Sequence, residues 1–503
     1  MAEQTQEFSF VAADEAATLR CAAWLAGLAQ AGWLVVLEGD LGAGKTAFAR
    51  GLIQAKCGAQ TQVPSPSFTL VQPYEAASPP ILHADFYRLA AAQEVEELGM
   101  LDALETHCCL IEWAERADDL LPAPNVHVQL AHQPNAPDAR RIDIKAAPSI
   151  IAALTTHAAR DAALTDFLEK ADWGQAERRP LAGDASTRRY ERLSQNGRSA
   201  VLMDWAKGPD GPPIYDGKPY SRVAHLAEAM PAYCRMVDWL VAHDLAAPII
   251  LARDEATGFA LMEDFGDSHL ANDAALDRDV FYHEAVANLL HLHGSPAADF
   301  LSPYDGAVQA VEAGLFTEWF LPSRGVEPDA AACADWQALW RKLGDALYAQ
   351  SATVSVLRDY HSVNLIWRPT AQARYRVGLI DVQDALAGHP AYDLASLLCD
   401  ARIDVDADLV AHFKQAYCDQ RFGDDQKALA AFDAAYAICA VQRNVKIAGI
   451  FVRLAQRDNK PGYLRYLPRV LGYVKTHLAH PALAGIADWM AQHAPQALEV
   501  DSD

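Results

Sequence analysis

Hydrophobic positions in the first third of the chain follow helix-like and strand-like patterns in turn. Ala, Leu and Trp recur at helical spacing over residues 15–31, and the unbroken apolar run 33–37 predicts a buried strand. The glycine-rich segment 39–46 separates this strand from a second helical pattern over 47–55. Helices that alternate with buried strands are typical of an α/β fold, which we predict for a domain over residues 1–150.

The remaining two thirds of the chain show a different order of elements. A polar, proline-containing run at 132–141 and an alternating strand pattern precede the predicted boundary near residue 150. Strand patterns dominate residues 160–265, and longer helical patterns dominate residues 266–503. We therefore predict a second, α+β domain made of a small lobe and a larger, mostly helical lobe.

Size and composition agree with more than one globular domain. The chain has 503 residues, of which 51% are hydrophobic and 21% charged. Its formal net charge of −24 argues against strong direct binding of nucleic acid through a basic face. No run reaches about 18 apolar residues, and the nine cysteines form no CxxC pair, so we expect no membrane span and a cytoplasmic, reducing location.

The glycine-rich loop carries the first candidate chemistry. Gly39, Gly44, Lys45 and Thr46 have the spacing G-x4-G-K-T and lie between a predicted strand and a predicted helix. In such a loop, backbone N–H groups, here including that of Gly42, face phosphates at a helix N-terminus. Lys45 then reaches the β- and γ-phosphates and Thr46 binds Mg²⁺, so the loop predicts an ATP site of the P-loop NTPase class.

Two carboxylates further along the chain are candidates for the same site. Asp85 follows the short apolar run 81–82 and is expected on the Mg²⁺ side of the nucleotide, and Glu112 ends a second buried run. A surface or helix-capping role is the alternative for each carboxylate. Ser67 and Thr69 are further candidates to position Mg²⁺ or the phosphates.

Four segments in this order resemble the TsaE family, the small ATPase of bacterial tRNA threonylcarbamoyladenosine (t6A) synthesis, over residues 8–130. They are the Gly-Asp-Leu-Gly-Ala-Gly-Lys-Thr loop, Pro-Ser-Pro-Ser-Phe at 64–68, Asp-Phe-Tyr-Arg-Leu at 85–89 and Glu-Trp at 112–113. The resemblance implies ATP hydrolysis coupled to association with TsaB/TsaD-type tRNA-modification proteins, with Asp85 and Glu112 at the nucleotide.

A polar loop in the second domain carries the second candidate chemistry. Asp359 and Asn364 lie five residues apart before an apolar run, and Asp381 ends another apolar run about one hairpin later. Phosphoryl transfer from ATP needs a carboxylate that deprotonates the attacking hydroxyl and oxygen ligands that hold Mg²⁺. The order Asp-x4-Asn…Asp is that of kinase-like catalytic loops. We expect Asp359 to be the base and Asn364 and Asp381 to hold Mg²⁺; a solvated turn followed by a strand-end Asp is the alternative.

The predicted small lobe contributes nucleotide contacts. The turn carrying Gly183, Asp184 and Ser186 is expected to cover the ATP phosphates through its backbone, with a plain β-hairpin as the alternative. The Asp-Phe-Gly segment at 264–266 precedes the Asp359 loop, whereas a metal-binding Asp follows it. We therefore predict a strand and a hinge beside the adenine that include Glu263.

The small lobe also lacks a residue that kinases normally have. Met203 or Leu202 occupies the place of the lysine that pairs with the α- and β-phosphates. Arg188, Arg189 or Lys207 are the candidates to replace this charge, and the sequence does not choose among them.

The second domain resembles aminoglycoside-phosphotransferase-like small-molecule kinases and, more narrowly, the anomeric N-acetylmuramate/N-acetylglucosamine 1-kinases of cell-wall recycling, over about residues 165–475. The resemblance implies a bilobal, protein-kinase-like fold and transfer from ATP with Mg²⁺ to the anomeric hydroxyl of an amino sugar; it also makes the absent lysine a family feature. Gln383 and Asp384 are then expected to reach the metal or the sugar. The segments that carry the resemblance include 183–190, 201–204, 261–267, 314–320, 358–364, 380–385, 392–396 and Gln442-Arg-Asn-Val-Lys446.

Other interpretations remain open for this domain. Leu357, where such loops commonly have His, departs from the family pattern, and Asp393 is expected to cap a helix and brace the loop. Glu312 stands near aromatic residues, as in sugar pockets, although a core or surface role is favoured. A kinase for an aminoglycoside, choline or another alcohol, and a non-catalytic nucleotide-binding scaffold, are the alternative functions.

Overall fold

The computed structural model describes residues 5–89, 94–117, 120–181, 188–206, 208, 213–215, 217–350 and 353–499. The predicted phosphate-covering residues Gly183, Asp184 and Ser186, and the candidate cation Lys207, lie outside these residues. The chain divides into two compact units, Met1–Asp166 and Phe167–Asp503. The domain limits given above for residues 150, 160 and 265 stay predictions.

The first unit is built on a mixed sheet with helices packed on it. Its elements among the described residues are β1 (Gln6–Ala12), α1 (Glu15–Ala26), β2 (Leu34–Glu38), α2 (Lys45–Cys57), β3 (Val71–Tyr74), β4 (Ile81–Asp85), α3 (Glu94–Glu97), α4 (Met100–Ala103), β5 (Cys108–Glu112), β6 (Val126–Gln133), β7 (Ala136–Ala146) and α5 (Pro148–Lys170), which extends into the second unit.

The centre of this sheet is parallel. The strand order is β1-β7-β6-β2-β5-β4-β3, and β2 pairs in parallel with both β5 and β6 while β4 pairs in parallel with β5. The central strands are almost wholly buried, as their continuous apolar runs predict. Because parallel strands end at one edge, the carboxyl ends of β2, β4 and β5 meet there, which is where α/β sheets bind ligands.

The second unit is an α+β structure of two lobes, as predicted. Its elements among the described residues are the strands β8 (Glu177–Leu181), β9 (Arg189–Gln195), β10 (Arg198–Asp204), β11 (Pro213–Tyr215), β12 (Lys218–Pro219), β13 (Ile250–Asp254), β14 (Phe259–Glu263), β15 (Val354–Val356), β16 (Leu365–Trp367), β17 (Val377–Leu379) and β18 (Leu386–Gly388), and the helices α6 (Tyr220–Val223), α7 (Met230–Ala242), α8 (Arg278–Leu292), α9 (Gly306–Leu315), α10 (Leu321–Ser323), α11 (Ala330–Gln350), α12 (Ala391–Leu398), α13 (Ala407–Phe422), α14 (Gln426–Gln456), α15 (Leu467–Leu478) and α16 (Ala484–His493).

The small lobe is an antiparallel sheet, and the large lobe is helical around two short two-stranded sheets. The order in the small lobe is β13-β14-β10-β9-β8, and in the large lobe β15 pairs with β18 and β16 pairs with β17. The central part of α14 is buried on all sides, because α9, α12 and α15 pack around it. A π-helical turn, Phe316–Phe320, connects α9 to α10.

Two short pairs of antiparallel strands therefore position the predicted catalytic residues. The loop with Asp359 and Asn364 connects β15 to β16, and Asp381 follows β17. Asp264 of the Asp-Phe-Gly segment instead follows β14 in the small lobe, where it accepts hydrogen bonds from Arg192 and from the backbone N–H of Gly266. In the part of the chain that the structure describes, no helix combines the length and hydropathy needed to cross a membrane.

Candidate active site

The predicted residues of the first unit lie together at the carboxyl edge of its sheet. Leu37, two residues before Gly39, pairs with Glu112, and Glu112 pairs with Asp85 across adjacent parallel strands. Gly39 has φ 146°, and a Cβ atom at this position would lie 2.3 Å from the carbonyl oxygen of Leu130. Only glycine therefore fits where the chain leaves β2 and enters the loop.

The P-loop lysine is folded back onto its own loop. Lys45 Nζ donates to the carbonyl oxygens of Gly39 at 2.6 Å and Asp40 at 3.0 Å, and it lies 3.9 Å from the centre of the Trp113 ring. Burial lowers the pKa of Lys45, although Glu112 and other carboxylates oppose this effect. The ammonium group therefore binds neutral backbone carbonyl oxygens, and negatively charged phosphate oxygens can displace them.

Two carboxylates hold the hydroxyl groups around this loop. Glu112 accepts from Thr46 Oγ1 at 2.9 Å and lies 3.0 Å from His83 Nε2. Asp85 accepts from the hydroxyls of Ser65 and Ser67 at 2.9 and 2.7 Å. A cavity of about 230 Å³ is lined by Gly42, Gly44, Lys45, Thr46, Ser65, Ser67, Asp85, Glu112 and Trp113, among others; Thr69 is exposed and does not line it.

The predicted catalytic residues of the second unit, Asp359, Asn364 and Asp381, also share a cavity, of about 730 Å³. One part of its wall is apolar and includes Val201 and Met262 from the small lobe and Ile366 from the large lobe. Asp359, Asn364, Asp381 and the arginines 188, 192, 402 and 443 line the same cavity. A cavity with both apolar surface and carboxylates and arginines is suited to a nucleotide, which has an apolar nucleobase and charged phosphates.

The catalytic loop is held by backbone hydrogen bonds. Asn364 Nδ2 donates to the carbonyl oxygen of Asp359 at 3.0 Å. Both carboxylate oxygens of Asp393 accept from the loop, at 2.7 Å from Leu357 N and 2.9 Å from Arg358 N. The expected capping role of Asp393 was wrong, because it lies inside the first turn of α12 and Pro390 precedes that helix. Because Asp393 braces the loop through backbone N–H groups, this bracing does not depend on having His rather than Leu at position 357.

The environment of Asp359 favours the carboxylate form. Burial alone raises its pKa, but the positive field of His361, Lys446, Arg443 and Arg358 outweighs burial and leaves the pKa lowered. Burial and the nearby Arg402 lower the pKa of His361 itself to about 4, so the ring is neutral near pH 7 and the lysine and arginines supply the field. The Asp359 side chain is 41% exposed, which leaves its oxygens accessible to a substrate.

Asp381 has a different environment and a cationic partner. Burial and the charges of Asp359 and Asp384 raise its pKa, and the opposing charge of Arg188 limits the rise. Arg188 Nη1 lies 2.7 Å from Asp381 Oδ1. Met203, on the same strand face as Val201, is fully buried at the place of the usual kinase lysine. The neighbouring candidate Arg189 is exposed.

A buried ionic network lies beneath the catalytic loop. The Arg358 side chain pairs with Glu312 and donates to the carbonyl oxygens of Ala224 and Asp384. Lys446 Nζ lies 3.4 Å from the same Glu312 and donates to Tyr392 Oη at 2.9 Å. Burial alone raises the pKa of Glu312, but these two cations lower it. The network connects α9 and α14 to the residue before Asp359.

Three other predicted site residues are placed as follows. Glu263 lines the cavity at the end of β14; its side chain pairs with Arg368 at 2.7 Å and its backbone N–H donates to Ile249. Gln383 lines a separate cavity of about 450 Å³, next to α6 and α7. Asp384 accepts from Ala227 N at 2.7 Å and from Gln383 Nε2 at 3.1 Å, so it connects the segment between β17 and β18 to the segment before α7.

The sequence did not place several residues in the network around the catalytic loop, although a core role was among those favoured for Glu312, which is fully buried. Glu312, Lys446 and Arg443 come from helices distant in sequence from the catalytic loop. Their signal was the segment Gln442-Arg-Asn-Val-Lys446, where four polar or charged residues at 442, 443, 444 and 446 interrupt an otherwise apolar, buried stretch of α14. In a buried helix such residues predict partners or a ligand, because burial of unpaired charge is costly.

Comparisons with known proteins agree with both predicted resemblances. Residues 12–142 match the family of threonylcarbamoyl adenosine biosynthesis protein TsaE, and residues 177–432 match the phosphotransferase enzyme family. The tRNA threonylcarbamoyladenosine biosynthesis protein TsaE of Rickettsia bellii is 45% identical over 97 residues, which are 19% of this chain and 67% of that protein.

Two relatives cover most of the second unit. The N-acetylmuramate/N-acetylglucosamine kinase of Caulobacter vibrioides is 36% identical over 367 residues, which are 68% of this chain and 99% of that protein. The protein of the same name from Pseudomonas putida is 32% identical over 344 residues, 66% of this chain and 94% of that protein. The predicted fusion, the fold class and the prediction of enzymatic activity are confirmed. The chain belongs to the phosphotransferase enzyme family, with a TsaE domain preceding its kinase domain.

Proposed function

We propose that the second unit transfers the γ-phosphoryl group of ATP to the anomeric hydroxyl of N-acetylmuramate or N-acetylglucosamine, a reaction of cell-wall recycling. The observation that carries this proposal is the single cavity shared by Asp359, Asn364 and Asp381. The similarity to N-acetylmuramate/N-acetylglucosamine kinases, over nearly their full length, supports the choice of acceptor.

Asp359 is the base in this proposal. Its low pKa keeps it ionised, so it accepts a hydrogen bond from the sugar hydroxyl and orients the oxygen toward the γ-phosphorus. As the O–P bond forms, the hydroxyl proton passes to the Asp359 carboxylate and ADP leaves. The Asp393 and Asn364 hydrogen bonds fix the loop, so the carboxylate needs little reorganisation when the substrate binds.

The residues fit Mg²⁺ in both units. Arg188 pairs with Asp381, and Asp359 and Asp384 are close enough to raise the pKa of Asp381, so this group of carboxylates attracts cations. Asn364 and Asp381 would hold the ion there. In the first unit Thr46 and Asp85 would hold it. The described residues contain no cluster of three or more His, Cys, Asp or Glu able to hold a metal, but a Mg²⁺ that keeps water and phosphate ligands needs only one or two protein groups. The ion supplies charge neutralisation on the phosphates.

Arg188 is proposed to replace the missing small-lobe lysine. It is held in the cavity beside Asp381 and over the Trp205 ring at 5.0 Å. We expect Arg188→Met to lower kcat/KM for ATP by about two to three orders of magnitude, because a charge that stabilises the phosphates is lost. Initial rates at varied ATP test this expectation. Arg189→Met is the matched control, since Arg189 is adjacent and exposed; equal losses in both variants contradict the assignment.

A panel of acceptors tests the proposed reaction. ATP consumption and product mass are measured with N-acetylmuramate, N-acetylglucosamine, an aminoglycoside and choline. We expect a phosphorylated amino sugar and at most weak turnover of the cationic acceptors. Turnover restricted to an aminoglycoside or choline would replace the sugar assignment, and nucleotide binding without any turnover would favour the scaffold. Asp384, proposed at the metal or sugar, and Gln383, which had the same expected role but lines the separate cavity, are tested by Ala variants in the same assay.

We propose that the first unit is an ATPase that supports t6A synthesis with TsaB/TsaD-type proteins, and that both activities operate in the cytoplasm. The P-loop lysine and the paired carboxylates Asp85 and Glu112 around one cavity support nucleotide hydrolysis. The acidic chain favours action on tRNA through its protein partners rather than by direct binding.

Lys45→Ala tests this unit. We expect ATP hydrolysis by the first unit to fall about a hundredfold, because the phosphates lose their main cation, and t6A to disappear from tRNA in a strain that depends on this chain. ATPase rates are measured in an Asp359→Asn background, which removes turnover by the kinase domain. The control is Lys56→Ala, in the same helix, where the lysine donates to the backbone carbonyl oxygen of Ser78. Unchanged t6A in the Lys45→Ala strain would refute the role.

A further inference from the structure

One face of α14 forms part of the wall of the 730 Å³ cavity that Asp359 also lines. Arg443, Ile447, Ile450 and Leu454 line the cavity at intervals of three or four residues, as expected for one helix face, and Phe451 beside Ile450 lines it too. The ring of Tyr463, which also lines the cavity, lies 5.4 Å from that of Phe451. The wall therefore offers an arginine at the catalytic end and apolar and aromatic surface next to it.

Arg443 differs from the other buried cations near the catalytic loop. Only 2% of the residue is exposed, and its Nη1 donates to the carbonyl oxygen of Cys399 at 3.3 Å. Arg358 and Lys446 both pair with Glu312, whereas Arg443 makes no ion pair with any residue that the structure describes. A buried guanidinium is normally paired with a carboxylate, since burial of an uncompensated charge is costly. Its position in the cavity wall therefore suits an anion supplied by the substrate.

The two sugars of the proposed reaction differ in such a group. N-acetylmuramate carries a lactyl ether on O3 that ends in a carboxylate, and N-acetylglucosamine carries a free hydroxyl there. Guanidinium groups bind carboxylates through strong, charge-assisted and often bidentate hydrogen bonds. Building on the proposed sugar kinase activity, we propose that Arg443 binds the lactyl carboxylate and determines the preference for N-acetylmuramate. The adjacent apolar face, Ile447 and Ile450, packs against groups that both sugars share.

The test compares three acceptors on the full chain: N-acetylmuramate, its methyl ester and N-acetylglucosamine. For the unaltered protein we expect kcat/KM for the acid to exceed that for the ester by about one to two orders of magnitude, the worth of a hydrogen bond to a charged group. Arg443→Gln should remove this preference and leave the ratio of ester to N-acetylglucosamine unchanged. Arg443→Lys should retain part of it. Arg465→Gln, an exposed arginine near Tyr463, is the control.

The outcomes separate this proposal from the proposed function. Equal rates with the acid and the ester in the unaltered protein would overturn the role of Arg443 and leave sugar kinase activity intact. An equal fall for all three acceptors in Arg443→Gln, or a rise in KM for ATP alone, would assign Arg443 to Asp359 or to the nucleotide instead. Absence of phosphate transfer to any of the three sugars by the unaltered protein would refute the proposed function itself.

Discussion

Asp359→Asn is expected to lower kcat for sugar phosphorylation by about two to four orders of magnitude, the usual contribution of general base catalysis. The amide cannot accept the hydroxyl proton. The hydrogen bonds that Leu357 N and Arg358 N donate to the Asp393 carboxylate remain, so the loop keeps its position. KM for ATP should change little, because Asp359 is proposed to contact the acceptor rather than the phosphates.

Steady-state kinetics with N-acetylmuramate and N-acetylglucosamine measure this effect. Asp488→Asn is the control, since Asp488 is exposed on α16 and serves no proposed catalytic role. Near-unaltered kcat in the Asp359→Asn protein would show that another group accepts the proton and that the assignment of the loop is wrong.

Arg358→Met is expected to destabilise the second unit by about 3–5 kcal/mol, because it removes one partner of a buried ion pair. Arg358 is 3% exposed and Glu312 is fully buried. In the variant, Glu312 keeps Lys446 and Tyr304 but loses its most direct cation. The strained residue before Asp359, with φ 68°, also loses its anchor, so catalytic activity should fall together with stability.

Urea denaturation followed by tryptophan fluorescence measures this loss. The matched variant is Arg374→Met, which breaks the ion pair with Asp244 at 3.3 Å, where the two side chains are 41% and 65% exposed. That change should cost at most about 1 kcal/mol, since solvent screens surface pairs. Equal losses in the two variants would show that the buried network contributes no more than a surface pair.

The site of the first unit could be predicted from sequence because its residues are fixed by strand register. Once 33–37 is a buried strand that leads into the glycine loop, the carboxylates after two other buried runs must reach the same edge of a parallel sheet. The order of Asp359, Asn364 and Asp381 in the sequence predicted one shared site for a similar reason. Each residue lies next to one of two short antiparallel strand pairs, and all three line one cavity.

The supporting residues were not predictable from local patterns. Arg358 and Glu312 are 46 positions apart, and Lys446 is 134 positions from Glu312, so only tertiary packing brings them together. Asp393 was only half predicted: it does brace the loop by accepting hydrogen bonds from Leu357 N and Arg358 N, but it lies inside the first turn of α12 and does not cap that helix. The proposal of Arg188 rather than Arg189 depends on the tertiary structure, since Arg188 lines the cavity and Arg189, at the start of β9, is exposed.

The position of the phosphate in the product distinguishes transfer to the anomeric hydroxyl from transfer to any other hydroxyl of the sugar. The full chain is incubated with ATP, Mg²⁺ and N-acetylmuramate, and the product is examined by ³¹P and ¹H NMR. We predict one phosphate, coupled to the anomeric proton, and no reaction with the sugar reduced at C1. Phosphate on another hydroxyl, or turnover of the reduced sugar, would contradict transfer to the anomeric hydroxyl.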